Sequence, residues 1–248
     1  MRTLVIGDIH GNYQSLKAVL LKANFDIDND RLIFLGDYID GFEQSVEVVE
    51  HLIDINENSS FENIFIMGNH DSWMIEALNE GLEQFRNHEF IESKYSSWLR
   101  NDGWSTYLSY LKLSDDEILK HKSKFYDLLK YFHIIGKKLY VHAGFDPDVG
   151  FRITKNQNQQ EFLWNRSLFE SAYAKWSQRK GRIDKRFDLA NVEFDTIYIG
   201  HTPTVKFGIT EPVKMGNVLN LDQGCKINGR LTAWIEEQET FVQSTVAE

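Results

Sequence analysis

Five short apolar runs in the sequence each end at a polar residue that can bind a metal ion. The runs span residues 3–7, 32–36, 63–68, 138–141 and 196–200, and the residues that follow them are Asp8 with His10, Asp37, Asn69 with His70, His142, and His201. Runs of this length and composition are typical of strands buried on both faces of a sheet. Glycine directly precedes the polar residue in four of the five, and it allows a sharp turn there.

The repetition of this pattern predicts a shared metal site. A single Gly-Asp after a strand is often only a turn. In an open α/β sheet, however, ligands bind outside the carboxyl ends of the strands, so five such ends would bring their side chains together. Carboxylate, amide and imidazole ligands without a thiolate suit Mn, Fe or Zn.

The chain between these runs follows a strand–helix–strand rhythm. Residues 13–23 and 45–56 have apolar side chains at helical spacing, and Asn12 is a predicted N-cap of the first of these helices. This alternation predicts parallel strands in a layered α/β fold. Further along, we predict a loop at 145–160, a helix at 161–176, a solvated basic loop at 178–186, and strands from residue 231 onward.

Residues 81–133 interrupt the rhythm with a polar, aromatic-rich stretch. A capping box at Ser114 and Glu117 predicts a helix over 114–131. We interpret 81–133 as a helical insert, which either packs on the edge of the fold, forms a wall of the substrate groove, or does both.

Length and composition favour one compact, cytoplasmic enzyme. The 248 residues are interpreted as a single domain, 1–248, and the net charge of −10 argues against nucleic acid as a partner. The single cysteine, Cys225, cannot form an intramolecular disulfide and is expected to pack in the core. We expect neither a signal peptide nor a membrane partner. Oligomeric state is left open.

The ordered motifs resemble those of the calcineurin-like metallophosphoesterases. They are GDIHG (7–11), GDYID (36–40), GNHD (68–71), VHAG (141–144) and GHTP (200–203), with LNLDQG (219–224) resembling the closing strands. They are most similar to those of bacterial and phage relatives of the Ser/Thr protein phosphatases and of diadenosine tetraphosphatases. The resemblance covers nearly the whole chain and implies an α/β/β/α sandwich of two mixed sheets flanked by helices.

The resemblance also implies the roles of the metal ligands. Asp8, His10 and Asp37 would hold a first divalent ion, and Asp37 would bridge to a second. Asn69, His142 and His201 would complete the second site, with Asn69 also near the substrate phosphate. Such a pair of ions acidifies a bridging water and neutralises the phosphoryl oxygens.

The predicted acid is His70. By resemblance it protonates the leaving oxygen while Asp40 holds the ring and favours its charged form. The alternative is that His70 only orients a metal ligand. Asp71 is predicted to cap the following helix rather than to bind metal. The remaining histidines, His51, His88, His121 and His133, are expected to be surface or packing residues.

The sequence departs from the family pattern at Gly41-Phe42. Proteins of this type usually carry arginine and glycine there, and the arginine grips the substrate phosphate. Because a phosphate dianion favours a bidentate guanidinium, another arginine should substitute. Arg166 is the candidate, because FLWNR (162–166) resembles a family segment that supplies a phosphate-binding arginine. A surface role for Arg166 and a substitution by Arg152 are the alternatives.

Three functions are compatible with these features. The favoured one is a phosphomonoesterase of the Ser/Thr protein phosphatase type, acting on a phosphorylated protein or a small phosphate ester. The second is a hydrolase of dinucleoside polyphosphates or nucleotides. The third is a non-catalytic scaffold, which predicts decayed motifs, whereas all seven mechanistic positions are intact.

Overall fold

Two five-stranded mixed sheets form the centre of the molecule. The structure is a computed structural model that describes residues 1–179, 189 and 193–244. Within these residues the strands are β1 (Arg2–Ile6), β2 (Asp30–Phe34), β3 (Ile64–Phe65), β4 (Phe132–Ile135), β5 (Lys138–Val141), β6 (Thr196–Ile199), β7 (Lys214–Met215), β8 (Val218–Asn220), β9 (Thr232–Ile235) and β10 (Thr240–Gln243).

The first sheet has the order β10-β9-β1-β2-β3 and the second β4-β5-β6-β8-β7. Strands β1, β2 and β3 pair in parallel, as do β5, β6 and β8, whereas β4, β7, β9 and β10 pair antiparallel with their neighbours. Each sheet therefore contains three neighbouring parallel strands whose carboxyl ends meet at one edge. The predicted fold class of two mixed sheets is confirmed.

Helices surround both sheets. In the described part of the chain they are α1 (Tyr13–Lys22), α2 (Ser45–Asn58), α3 (Asn69–Asn79), α4 (Leu82–Arg86), α5 (His88–Lys94), α6 (Ser96–Trp98), α7 (Trp104–Tyr110), α8 (Asp115–Lys124), α9 (Phe151–Gln157), α10 (Glu161–Trp164), α11 (Ser167–Gln178) and α12 (Cys225–Asn228). No helix in these ranges is both long and apolar enough to cross a membrane. The side chain of Asn12 accepts a hydrogen bond from the backbone N–H of Ser15, so the predicted N-cap is confirmed.

Alternation along the strands produces the layers. Leu4 of β1 faces the helices, whereas Val5 faces the other sheet and packs in a cluster with Tyr140 and Tyr198. The same alternation recurs on β2, β5 and β6, because successive side chains of a strand point to opposite faces. The result is a four-layer arrangement of helices, sheet, sheet and helices.

The insert packs into the helix-side core of the first sheet. Buried side chains from α4 to α8, among them Phe85, Trp98 and Tyr107, belong to the same cluster as α1 and α2. Between α6 and α7 the chain makes a kinked π-helical turn at Leu99–Gly103, where Asp102 adopts a left-handed conformation with φ of 72°.

Three predicted boundaries are wrong. The helix predicted at 114–131 ends at Lys124, because Phe125 and Tyr126 turn into the core and Lys130 then bonds to the backbone of Phe65 and Met67 at the edge of the first sheet. The predicted loop at 145–160 contains helix α9, because Phe151 is buried against other aromatic rings.

The helix predicted at 161–176 is broken in two. Asn165 leaves the helical conformation, and its Oδ1 accepts a hydrogen bond from the backbone N–H of Ser167 at 2.8 Å. Asparagine side chains compete with the backbone for such bonds and favour turns. The basic segment predicted as a loop at 178–186 lies, from residue 180 on, outside the described residues.

Candidate metal centre and substrate cleft

The predicted ligands lie together at the carboxyl ends of the parallel strands. A cleft of about 440 Å³ opens there, lined on its floor by His10, Asp37, Asn69, His70 and His201. His142 is buried just behind the floor, with its Nε2 3.1 Å from Asn69 Oδ1. Residues as far apart in the sequence as His10 and His201 are thus brought into one site by the strand order.

Asp37 is the centre of this site. Its Oδ2 is 3.6 Å from His10 Nε2 and 3.4 Å from His142 Nε2, and its Oδ1 accepts a hydrogen bond from the backbone N–H of His70. Two groups of potential ligand atoms, each within 4.8 Å of one another, share this carboxylate: His10–Asp37–His70 and Asp37–His142–His201. Burial opposes ionisation of Asp37, but the facing rings of His142 and His70 hold its pKa well below the usual value.

The orientation of His142 follows from its second nitrogen. Nδ1 donates to the backbone carbonyl of Leu35 at 2.7 Å, so Nε2 points toward Asn69 and Asp37. Burial lowers the pKa of His142, yet the charge of Asp37 outweighs it and raises the pKa to about 10 in the ion-free protein. A positive charge is therefore favoured at this position, which a bound cation would supply instead.

Asp8 and His201 meet across the two sheets. Asp8 Oδ2 accepts a hydrogen bond from the backbone N–H of His201 at 2.9 Å. Asp8 Oδ1 and His201 Nε2 are buried and have no hydrogen-bond partner among the residues that the structure describes. Burial raises the pKa of Asp8 well above its usual value and lowers that of His201 well below. Unpaired buried polar atoms are costly, and a bound cation would satisfy these two.

The glycines that precede the ligands allow neighbouring strand ends to approach closely. A β-carbon at Gly68 would overlap the carboxylate of Asp37, and one at Gly200 would overlap that of Asp8. Three of the predicted ligand residues adopt left-handed conformations, with φ of 53° at His10, 53° at Asp37 and 64° at His201. Such values are uncommon for residues other than glycine.

The side chain of Asp71 connects two of the motifs through hydrogen bonds. Its Oδ2 accepts hydrogen bonds from the backbone N–H groups of Gly68 and Asp37, and its Oδ1 accepts from Tyr38, at 2.8–3.0 Å. The bond to Gly68 caps helix α3, and the other two fix the turn that carries Asp37. Burial, together with the charge of Asp37, raises the pKa of Asp71 to about 7.

His70 is held by a buried aspartate and a tryptophan. Its Nδ1 lies 2.6 Å from Asp40 Oδ2, and the same oxygen accepts a hydrogen bond from Trp98 Nε1 at 2.8 Å. Asp40 and Trp98 are fully buried. Burial lowers the pKa of His70, but Asp37 and Asp40 together raise it above its usual value. The arrangement favours a charged His70 with a fixed ring.

Cations and aromatic rings form the walls of the cleft. Arg166, Lys206 and Lys226 all line it, as does Trp164, which is 40% exposed. Trp73 packs between Trp164 and His70, with ring centroids 5.1 and 5.2 Å apart. Asn101 and Asp102 of the insert also line the cleft, so the insert both packs on the fold and forms part of this wall.

The other sequence candidates lie elsewhere. Arg152 pairs with Glu193 at 2.6 Å beside a different surface cleft, so it is not brought to this site. His121 is buried against Tyr110, His51 and His88 pack on aromatic rings, and His133 lies on β4. A larger surface pocket of about 560 Å³ beside α1 and α2 is lined by none of the predicted site residues.

Sequence reasoning missed several residues of the site, among them Asp222, Trp98 and Lys226. Asp222 follows β8, the sixth parallel strand, and lines the cleft; burial raises its pKa to about 6. LNLDQG resembles the other runs, but no glycine precedes its aspartate. Trp98 belongs to the insert and Lys226 to α12. No local pattern distinguishes Trp98 from an ordinary core residue or Lys226 from an ordinary surface residue.

The donor set fits divalent cations. Oxygen and imidazole ligands converge on Asp37, and among the described residues two of the buried polar atoms without a partner, Asp8 Oδ1 and His201 Nε2, belong to this set. Asp8, Asp37, Asp71 and Asp222 place several carboxylates in a small buried volume, where uncompensated charge is unfavourable. Bound cations would compensate that charge.

Comparison with known proteins agrees with this arrangement. Residues 1–205 match the family model of the calcineurin-like phosphoesterases. The chain belongs to that family. It is accordingly a metal-dependent phosphoric ester hydrolase, and the resemblance inferred from the sequence motifs is confirmed.

Two relatives align over nearly their full length with this phosphoesterase. The asymmetrical bis(5'-nucleosyl)-tetraphosphatase of Anoxybacillus flavithermus is 24% identical over 257 residues, covering 98% of this chain and 94% of the relative. The symmetrical bis(5'-nucleosyl)-tetraphosphatase of Buchnera aphidicola subsp. Baizongia pistaciae is 25% identical over 301 residues, covering 99% of each.

Solved structures share the fold. A protein provisionally described as a diadenosine tetraphosphatase aligns with a TM-score of 0.63 at 17% identity, covering 98% of this chain and 92% of that one. A serine/threonine phosphatase from Saccharomyces cerevisiae aligns with a TM-score of 0.55 at 15% identity, covering 100% of this chain and 81% of that one. At these identities the likeness concerns the fold alone.

Proposed function

We propose that this phosphoesterase hydrolyses dinucleoside polyphosphates of the diadenosine tetraphosphate type. The observation that carries the proposal is the near-full-length similarity to two bis(5'-nucleosyl)-tetraphosphatases. The walls of the cleft support it, because three cations and an exposed tryptophan suit a substrate that combines several phosphates with a flat base. The proposal therefore prefers the alternative considered from the sequence, a hydrolase of dinucleoside polyphosphates, to the phosphomonoesterase that the sequence favoured.

We assign the metal ligands as two sets that share Asp37. Asp8, His10 and Asp37 would hold one divalent ion, and Asp37, Asn69, His142 and His201 the other. When bound, such a pair supplies an acidified water and neutralises charge on the phosphoryl oxygens. The ligand types favour manganese, with iron or zinc as alternatives.

The protein's own residues would position and protonate the substrate. Arg166 would bind the phosphoryl group from the side of His201, and Asn69 would lie next to it. His70 would donate a proton to the leaving oxygen, since Asp40 accepts from Nδ1 and favours the charged ring. We also propose that the chain acts as one domain and in the cytoplasm, where its single cysteine stays reduced.

One observation favours a second candidate, hydrolysis of phosphoserine or phosphothreonine. The 2.6 Å contact between His70 and Asp40 suits protonation of a poor alkoxide leaving group, whereas a nucleotide leaves as a stable anion and needs less help from an acid. A phosphorylated protein is therefore the competing substrate in any test.

The test compares both substrates on one preparation. Protein stripped of metal and reloaded with Mn²⁺ is assayed for kcat/KM on diadenosine tetraphosphate and on a phosphoserine peptide, with products separated by anion-exchange chromatography. We expect at least a tenfold preference for the dinucleotide. A preference for the peptide would replace the proposal by the second candidate, and no dinucleotide turnover with two ions bound would refute it. Asp37→Asn is the matched inactive control.

A further inference from the structure

Lys226 occupies the space beside Gly41. It lies on the short helix α12 and lines the cleft. A β-carbon placed on Gly41 would be 3.2 Å from Cγ of Lys226 and 3.4 Å from Cβ of His10. Because Gly41 has no side chain, the aliphatic stem of Lys226 can pass over this point toward the cleft.

The ammonium group of Lys226 is held by the insert. Its Nζ lies 2.9 Å from Asp102 Oδ2, with Lys226 25% exposed and Asp102 58% exposed. The hydrogen bond from Lys226 keeps the pKa of Asp102 below its usual value. An ion pair with one partner this exposed contributes little stability, so another anion can replace the carboxylate at small cost.

The position of Lys226 defines which part of a substrate it would meet. It shares the surface of Gly41 with His10, and the rings of His10 and His70 lie 5.0 Å apart. His70 is the proposed donor to the leaving oxygen, so Lys226 lies on the leaving-group side. Arg166 lines the same cleft, and its charge lowers the pKa of His201. The cleft therefore offers one cation near His201 and another near His10 to a substrate with several phosphates.

We propose that Lys226 binds the phosphate groups of the departing nucleotide, exchanging Asp102 for a phosphate oxygen when substrate fills the cleft. This rests on the proposed function, because among the candidate substrates only a polyphosphate has a leaving group that itself carries phosphate. Lys226 would then compensate the negative charge of a departing nucleotide, as protonation by His70 compensates the charge of a departing alkoxide. Asp102 competes with the phosphate oxygen for the ammonium group of Lys226 and thereby lowers the affinity for the nucleotide.

The alternative is that the Lys226–Asp102 pair only ties α12 to the insert. The structural role and the phosphate-binding role predict different directions of change in nucleotide affinity. If the pair is structural, Lys226→Met and Asp102→Asn both remove the same ion pair and change nucleotide affinity in the same direction. If Lys226 binds phosphate, its loss weakens nucleotide binding, whereas loss of Asp102 frees the ammonium and strengthens it.

The experiment measures binding of α,β-methylene-ADP, a non-hydrolysable nucleoside diphosphate, to the Mn²⁺-loaded protein by isothermal titration calorimetry. We expect Lys226→Met to raise Kd about tenfold, the effect of losing one charged hydrogen bond at a partly exposed site. Lys226→Arg should keep Kd within about threefold because the charge remains. Asp102→Asn should lower Kd about threefold, and in the Lys226→Met background that gain should fall below about twofold.

A matched control is available on the insert. Lys122 and Asp127 form a pair at 2.7 Å with 29% and 51% exposure, and neither lines the cleft. Lys122→Met and Asp127→Asn should leave Kd unchanged. The proposal is overturned if Lys226→Met and Asp102→Asn shift Kd in the same direction, if only the melting temperature moves, or if the wild type does not bind the analogue. Because no turnover is required, the result stands apart from whether diadenosine tetraphosphate is the substrate.

Discussion

Replacing Trp98 by phenylalanine tests how much the insert contributes to the acid. The change removes the indole N–H that donates to Asp40 Oδ2 at 2.8 Å inside the core. A buried hydrogen bond to a charged group contributes about 1.5–3 kcal/mol. The smaller ring also leaves a cavity that costs about 1 kcal/mol. We expect the free energy of unfolding to fall by about 3 kcal/mol and Tm by about 6–12 °C.

The kinetic effect should depend on the leaving group. Within the described part of the chain, loss of the indole leaves Asp40 Oδ2 with only His70 as a partner, and Oδ1 has none, so the carboxylate can rotate and release the ring. We expect kcat on a phenyl phosphate with a poor leaving group to fall about tenfold and kcat on p-nitrophenyl phosphate to fall less than about twofold.

The assay is steady-state kinetics on a series of aryl phosphates, with Trp104→Phe as the control. Trp104 lies on the same insert, but its ring contacts His88 and Tyr107 rather than Asp40. An equal loss on good and poor leaving groups would mean that Trp98 only stabilises the core, and the positioning argument would then be wrong.

Four further outcomes are expected. Asp37→Asn should abolish metal binding, measured by elemental analysis, and activity with it. His70→Asn should leave metal content unchanged and slow esters with poor leaving groups far more than p-nitrophenyl phosphate; an equal slowing would exclude the acid role. Arg166→Ala should raise KM about tenfold with little change in kcat, and an unchanged KM would remove Arg166 from the phosphate site. Burial lowers the pKa of His121 to about 4, so the unfolded chain takes up a proton that the folded one does not; stability in urea should fall as pH drops from about 6.5 to 4, and His121→Gln should flatten this slope.

The predicted metal ligands and the central strands are the part of the molecule that the local sequence pattern locates best. Each predicted ligand lies within a few residues of a strand end, so a local pattern of apolar run and polar residue, with a glycine before the polar residue in four of the five runs, is enough to find it. The strand order that joins the patterns follows from parallel pairing in each sheet. Sequence reasoning locates these residues because the polar side chains and the strand ends lie in the same short segments.

The remainder of the site depends on tertiary contacts that no short segment encodes. Trp98 reaches Asp40 across 58 residues, and Lys226 reaches Asp102 across more than a hundred. Neither residue differs locally from a core tryptophan or a surface lysine. Likewise, the break at Asn165 depends on a side-chain bond to the next turn, which competes with a helical apolar pattern that continues through it. That break begins a new helix right after Arg166, which lines the cleft.

The left-handed turns at His10, Asp37, Asp40 and His201 make the site a source of conformational instability. For residues with a β-carbon, this backbone geometry costs of order 1–2 kcal/mol each relative to glycine. Substitutions at these positions that sacrifice catalysis are therefore expected to increase stability. A protein that evolves without selection for turnover should accordingly lose these four residues before its core residues. Engineering for heat resistance should accordingly leave these four turns untouched and seek its gains in the helices that surround the sheets.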